Sequence, residues 1–128
     1  PDIASVIALG AAVDYVESLD REGAAAHEDA LLAYAQQRAS ETPGLKLVGT
    51  AKHKTAVMSF LLEGAHPHDV GMLLDQQGVA VRTGNHCAQP IMDQFGIPGT
   101  VRASFSIYNT FADVDRLFEA LAKVRQFL

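Results

Sequence analysis

The chain has 128 residues, a formal net charge of −5 and a single cysteine. This is the size of one ordinary domain, and since one cysteine cannot form an internal disulfide, a reducing, cytoplasmic compartment is expected. The ten basic residues are scattered, which argues against nucleic-acid binding, and the apolar stretches are too short to predict a membrane span.

Two helices are predicted at the start of the chain. The first covers Ile3–Leu19, with Asp2 as its N-cap, and carries apolar side chains on more than one face. Such a helix needs cover on both sides, so part of the surface it packs against is expected to be missing. The second covers Glu22–Glu41 and ends at Thr42-Pro43-Gly44, because proline cannot continue a helix. Together the two helices form a predicted helical arm over residues 1–42.

Residues 43–128 are predicted to form a sheet with helices packed against it. Apolar strands at Leu45–Val48 and Ala56–Leu62 indicate a hairpin. A helix that begins at Pro67 and stops at Gly78 follows them, because proline is tolerated in a first helical turn and glycine ends helices. The next segment, Val79–Thr83, is predicted to be a strand.

Three further elements are predicted after the cysteine segment. They are a short helix over Pro90–Phe95, an alternating strand over Val101–Tyr108, and a last helix that Thr110 opens and that keeps helical spacing to Leu128. The full order predicts an α/β (α+β) fold in a single domain, with a small, mostly antiparallel sheet of about four strands packed with helices.

The cysteine lies in the segment Arg82-Thr83-Gly84-Asn85-His86-Cys87-Ala88-Gln89-Pro90. A lone cysteine is most often a buried small hydrophobe, but the turn formers and polar groups around Cys87 favour a loop, where functional side chains concentrate. Positive charge from Arg82 and His86 would raise the thiolate fraction. Cys87 is therefore a candidate nucleophile, although its neighbours alone do not specify the reaction.

A second candidate, Arg102, lies mid-strand on the polar face, beside Ser104 and Ser106. A guanidinium there can hold a carboxylate by two parallel hydrogen bonds, whereas the ordinary alternative is a surface arginine paired with a nearby acid. A nucleophile on a loop together with a carboxylate clamp on a strand suits an amino-acid or oxo-acid substrate.

Two other groups resemble sites but favour simpler interpretations. His66, His68 and Asp69 have the chemistry of metal ligands, but they stand at a helix start, where capping is the simpler account, and no metal is predicted. His53-Lys54 has the order found where some enzymes bind pyridoxal phosphate as a Schiff base, but it lies in a polar hairpin connection. A solvated turn is expected there.

The cysteine segment, followed by Val101-Arg102-Ala103-Ser104-Phe105 and Tyr108-Asn109-Thr110, closely resembles the C-terminal part of group II cysteine desulfurases of the SufS and CsdA type, in the class V aminotransferase superfamily. His66-Pro67-His68-Asp69-Val70 and the opening Ile3–Tyr15 fit the same family. The resemblance therefore covers nearly the whole chain. Asn85 departs from it, since many relatives carry a bulkier or second imidazole residue there.

The resemblance implies a homodimeric, fold type I pyridoxal phosphate enzyme. Such an enzyme takes sulfur from L-cysteine, releases alanine and passes a persulfide to a sulfur-acceptor protein for iron-sulfur cluster assembly. On that pattern Cys87 attacks the substrate sulfur and becomes the persulfide carrier, and Arg102 binds the substrate carboxylate. Arg82 and His86 support the cysteine loop through its geometry and charge.

The same resemblance implies that the large domain is absent from this chain, with the Schiff-base lysine and most phosphate contacts. No residue of this chain is then expected to bind the cofactor, and the chain by itself is expected to be inactive. Two alternatives stay open. One is a selenocysteine lyase or another class V aminotransferase-like enzyme; the other is a stand-alone binding module or persulfide relay that works without pyridoxal phosphate.

Overall fold

A computed structural model describes residues 1–127, and its elements follow the predicted order. In chain order they are α1 (Ile3–Ser18), α2 (Arg21–Ser40), β1 (Leu45–Val48), β2 (Val57–Leu62), α3 (Pro67–Asp75), β3 (Arg82–Gly84), α4 (Gln89–Phe95), β4 (Thr100–Ser104) and α5 (Phe111–Val124). The predicted mixture of helices with a small antiparallel sheet is confirmed.

The four strands lie in the order β1-β2-β4-β3, and every neighbouring pair is antiparallel. Side chains alternate across β4, so that Val101 and Ala103 are 0% and 5% exposed and belong to the core, whereas Arg102 stands on the other face. Buried side chains of α2, α3 and α5 complete that core. The opposite face of β4 is therefore left for polar side chains.

Two strands differ from the prediction by more than one residue at an end. β3 begins at Arg82 and not at Val79, because the Val79 N–H still donates to the Leu74 carbonyl at the end of α3 (3.0 Å). β4 ends at Ser104, well before Tyr108. Beyond it the Ser106 N–H donates to Asn109 Oδ1 (2.9 Å), which turns the chain toward α5.

Side-chain caps at Asp2 and Thr110 start α1 and α5, as predicted. Asp2 Oδ1 accepts from the Ser5 N–H at 3.1 Å, and Thr110 and Asp113 form a reciprocal capping box at α5. The buried face of α5 ends at Val124. The predicted continuation to Leu128 lies outside the described residues. Among the described helices, none is long and apolar enough to cross a membrane.

Helix α2 is braced against α5 by one polar cluster. Arg38 forms an ion pair with Asp115, which also accepts a hydrogen bond from the Tyr34 hydroxyl at 2.7 Å. The Arg38 guanidinium lies 5.3 Å from the centre of the Phe118 ring, within the range of a cation–π contact. Helix α2, the second helix of the predicted arm, is thus packed on the folded domain.

Helix α1 is different, because none of its residues is buried. Its apolar side chains stay largely in solvent, with Ile3 and Ile7 exposed to 67% and 70%. Within residues 1–127, nothing buries this helix, although its apolar faces need cover on both sides. A continuous exposed apolar surface of this kind is typical of an interface that has lost its partner.

We expect the 128-residue chain to self-associate through α1. Replacing Ile7 and Val13 with serine removes apolar surface from that helix and should shift the chain toward a monomer in sedimentation velocity. Met72 is also exposed, at 48%, but lies on α3, so Met72→Ser is the matched control and should leave association unchanged. A wild-type chain that stays monomeric at high concentration would contradict the prediction.

Candidate functional site

Cys87 lies where the sequence predicts it, exposed on the loop that joins β3 to α4. The backbone there is unusual, since His86 and Cys87 have φ angles of 53° and 60°. This left-handed region costs an ordinary L-residue about 1–2 kcal/mol. Two consecutive residues in that conformation require support from their surroundings.

Asn85 gives part of that support from within the loop. Its Oδ1 accepts from the Cys87 N–H at 3.2 Å, its carbonyl accepts from the Ala88 N–H at 2.9 Å, and its Nδ2 donates to Gln89 Oε1 at 3.0 Å. The first of these bonds is of the Asx-turn type, because the Asn85 side chain accepts from a backbone N–H two residues later. Asn85 is therefore a structural element of this loop, beyond the turn former that the sequence analysis recognised.

His86 joins the loop to the sheet. Its Nε2 lies 2.8 Å from Oγ1 of Thr100, the first residue of β4. Burial and the positive charge of Arg102, with a smaller contribution from Arg82, lower the pKa of His86 below its ordinary value, although hydrogen bonding to the Thr100 backbone partly offsets this. The lowered pKa favours the neutral imidazole, which weakens the expectation that His86 contributes positive charge beside Cys87.

Arg82 and Arg102 face each other across the sheet as paired residues of β3 and β4. Arg102 is half-buried, and its Nε is inaccessible to solvent and has no hydrogen-bond partner among the described residues. The ion pair found within residues 1–127 joins Arg38 to Asp115, and no carboxylate of these residues pairs with Arg102. Arg102 is therefore not paired with a nearby acid within the described residues, and its guanidinium is available to bind an anion.

Gly84 and Gly99 fix the base of the cysteine loop. A Cβ on Gly99 would stand 2.8 Å from the carbonyl carbon and oxygen of Gly84, and the φ of Gly99 is +140°. Only glycine allows two backbones to approach this closely. This pair was not predicted from the sequence, where the available sign was that one glycine precedes the cysteine loop and the other follows α4.

The two weaker candidates have structural roles. The Nδ1 of His66 accepts from the His68 N–H at 3.3 Å and caps α3, as predicted. No group of three or more metal-ligating side chains occurs in the described part of the chain. Lys54 donates to the Gly49 carbonyl at 3.1 Å within the β1–β2 connection.

The lysines do not fit a Schiff-base site for pyridoxal phosphate. Lys46, Lys52 and Lys123 are exposed, and Lys54 is engaged in its own loop. A lysine that forms a Schiff base is held in a dry pocket that lowers its pKa. Nothing of that kind surrounds any of these four lysines.

The family model described as aminotransferase class-V matches residues 1–117. The chain is 48% identical over 129 aligned residues to a probable cysteine desulfurase of Streptomyces coelicolor, with 99% of this chain and 31% of that protein covered. It is 46% identical to a cysteine desulfurase of Synechococcus elongatus, where 97% of this chain matches 20% of the relative.

Solved structures agree with these sequence matches. The cysteine desulfurase CsdA of Escherichia coli superposes with a TM-score of 0.90 at 34% identity, over all of this chain and 32% of that chain. The enzyme of Thermococcus onnurineus NA1 gives 0.90 at 33% identity, again over 32% of its chain. The chain therefore spans about a third of the length of these solved relatives.

We predict that Gly99→Ala lowers the free energy of unfolding by about 2 kcal/mol, since the new Cβ meets the Gly84 carbonyl and φ is unfavourable for alanine. The control is Gly96→Ala. Its φ is +64° with open space around the Cβ, so only the conformational cost of about 1 kcal/mol applies. Urea unfolding of both variants measures the difference, and equal losses would contradict the close approach.

We also predict that His86 titrates below its ordinary pKa of 6.5 in an NMR pH titration of its imidazole resonances. Because the unfolded chain then binds the proton first, the stability contributed by neutral His86 is present above about pH 6.5 and is lost as the pH falls through the folded-state pKa. Arg102→Gln should raise the pKa, whereas Arg125→Gln, at the exposed end of α5, should not. An unchanged value in Arg102→Gln would refute the electrostatic cause.

Proposed function

Because the chain belongs to the class V aminotransferase family, we propose that it is the part of a cysteine desulfurase that carries the sulfur-accepting cysteine. The observation that carries this proposal is the combination of an exposed thiol on a supported loop with a half-buried arginine that no carboxylate of the described chain neutralises. Relatives named as cysteine desulfurases match nearly all of this chain.

In this proposal Arg102 binds the substrate, L-cysteine, through its carboxylate. The guanidinium presents a planar fork of donors to two carboxylate oxygens, and its partial burial strengthens those charged hydrogen bonds. Arg82, paired with it across the strands, adds positive charge at the same edge. The amino acid is thereby oriented with its side chain available to the cysteine loop.

Cys87 is proposed to accept the sulfur. Its thiolate attacks the sulfur of the bound L-cysteine, an S–S bond forms, and the C–S bond of the substrate breaks. The carbon keeps the electron pair of that bond and takes up a proton, so alanine leaves and Cys87 remains as a persulfide. Attack by a thiolate splits a difficult step into two easier ones, formation of the persulfide and its later transfer.

The family implies pyridoxal phosphate as cofactor. Its chemistry is to stabilise negative charge at the substrate carbon. The lysines of this chain do not fit a Schiff-base site, so we place the cofactor in a large domain outside this chain, and residues 1–128 form the C-terminal domain of the longer enzyme. By itself, the chain should not desulfurate L-cysteine.

The exposure of Cys87 supports delivery of the persulfide to a separate protein. A sulfur atom on an exposed loop is accessible to the thiol of an acceptor, as a relay toward iron-sulfur cluster assembly requires. We propose that the longer enzyme works in this way as a cytoplasmic homodimer.

The proposal is tested in the full-length enzyme with L-cysteine. Mass spectrometry should find one added sulfur on the peptide that contains Cys87, and Cys87→Ser should abolish both this adduct and sulfur delivery to an acceptor. A Cys87→Ser enzyme that delivers sulfur at the wild-type rate would refute the assignment. Turnover of selenocysteine without turnover of cysteine would instead identify a selenocysteine lyase.

The role of Arg102 has a separate test. Arg102→Gln should raise the KM for L-cysteine about 10- to 100-fold, because a charged hydrogen bond to the carboxylate is lost. Arg125→Gln is the matched control on an exposed arginine and should leave KM unchanged. An unchanged KM in Arg102→Gln would remove the arginine from substrate binding.

A further inference from the structure

Thr100 stands out because it combines a polar side chain with almost complete burial. Its exposed fraction is 1%, and among residues 1–127 no other polar or charged residue is buried. A hydroxyl removed from water needs a hydrogen-bond partner, or burial costs free energy. Here that partner is the imidazole of His86, at 2.8 Å.

The position of Thr100 links the two halves of the proposed site. It pairs with Gly84 at the start of the cysteine loop, and it lies two residues before Arg102, so both side chains are on the same face of β4. The other side-chain hydrogen bonds of the loop, those of Asn85 and Gln89, remain within residues 85–93. The contact between His86 and Thr100 is therefore the side-chain hydrogen bond that ties the loop to the sheet in the described chain.

We propose that Thr100 is a positioning residue for persulfide formation, an inference that rests on the proposed function. Through His86 it sets where the Cys87 thiol stands relative to a carboxylate held by Arg102. Thr100 does not touch the substrate. It fixes the distance between the two groups that do.

The backbone conformation explains why such a tie is needed. His86 and Cys87 both occupy the left-handed region, which an untethered loop leaves for more favourable conformations. The bond from Asn85 to the Cys87 N–H restrains the loop internally but does not connect it to β4. Since a displacement of about 1 Å at a reacting group can slow a reaction about 100-fold, the anchor to the sheet matters for rate.

The test uses two substitutions in the full-length enzyme with L-cysteine. Thr100→Val keeps the shape of the side chain and removes the hydroxyl, whereas Thr100→Ser keeps the hydroxyl and removes a methyl group. In single-turnover measurements at saturating L-cysteine, Thr100→Val should form the Cys87 persulfide about three- to tenfold more slowly, since one hydrogen bond is lost. Thr100→Ser should stay within about twofold of wild type.

The division between rate and binding separates positioning from a general loss of structure. The KM for L-cysteine should stay unchanged in Thr100→Val, because Arg102 is intact. In a double-mutant cycle with His86→Gln the two losses should not add, since both substitutions remove the same contact. If Thr100→Val does not fold, as judged by circular dichroism, Thr100→Ala removes the same hydroxyl with less bulk and gives the same readout.

Each other outcome overturns the inference. A wild-type persulfide rate in Thr100→Val excludes a positioning role, equal losses in the valine and serine variants indicate packing alone, and a raised KM places the effect on carboxylate binding. Additive losses with His86→Gln exclude action through the imidazole. Absence of a Cys87 persulfide in the wild-type enzyme overturns the proposed function and this inference together, so the two failures are distinguishable.

Discussion

The candidate site depends on the close approach of two backbones, at Gly84 and Gly99. This contact brings the end of β3 against the residue that precedes β4. The intervening segment must therefore leave and return within a small space, and left-handed residues at His86 and Cys87 make that reversal possible. A side chain at position 99 would meet the Gly84 backbone and disturb the end of β3, from which the cysteine loop leaves. The conformation of that loop thus depends on the absence of a side chain at Gly99.

Charge is the second constraint, and it is left unbalanced within the described chain. Arg82 and Arg102 are paired on adjacent strands, although like charges directly opposite each other destabilise a sheet. Burial first, and then the positive charges of Arg102 and Arg82, lower the pKa of His86. In the proposed function, the carboxylate of the substrate would offset this repulsion. The strand register places two positive charges side by side, which favours an anion at this edge of the sheet.

Hydrophobic periodicity, together with capping and turn residues, was enough to predict every element and the antiparallel sheet, because alternation in β4 and the apolar face of α5 are local patterns. The ends of strands were harder, since the Asn109 side chain and the last turn of α3 terminate pairing through specific hydrogen bonds. Cys87 and Arg102 were recognisable from their neighbours in sequence. The lowered pKa of His86 and its contact with Thr100 were not, because burial and a contact 14 residues away exist only in the folded chain.

Two separate features are consistent with the proposal that the working site is larger than this chain. Helix α1 is apolar and has no cover within residues 1–127, and Arg102 is a cation without an anion. Both are costly in a self-sufficient domain, but both are expected of a surface that another part of the same protein completes. The matched relatives, of which this chain spans 20–31%, have the additional length to supply it. In the function proposed above, a domain that presents its thiol on a loop anchored to its own sheet can keep that loop in place while a separate domain holds the cofactor.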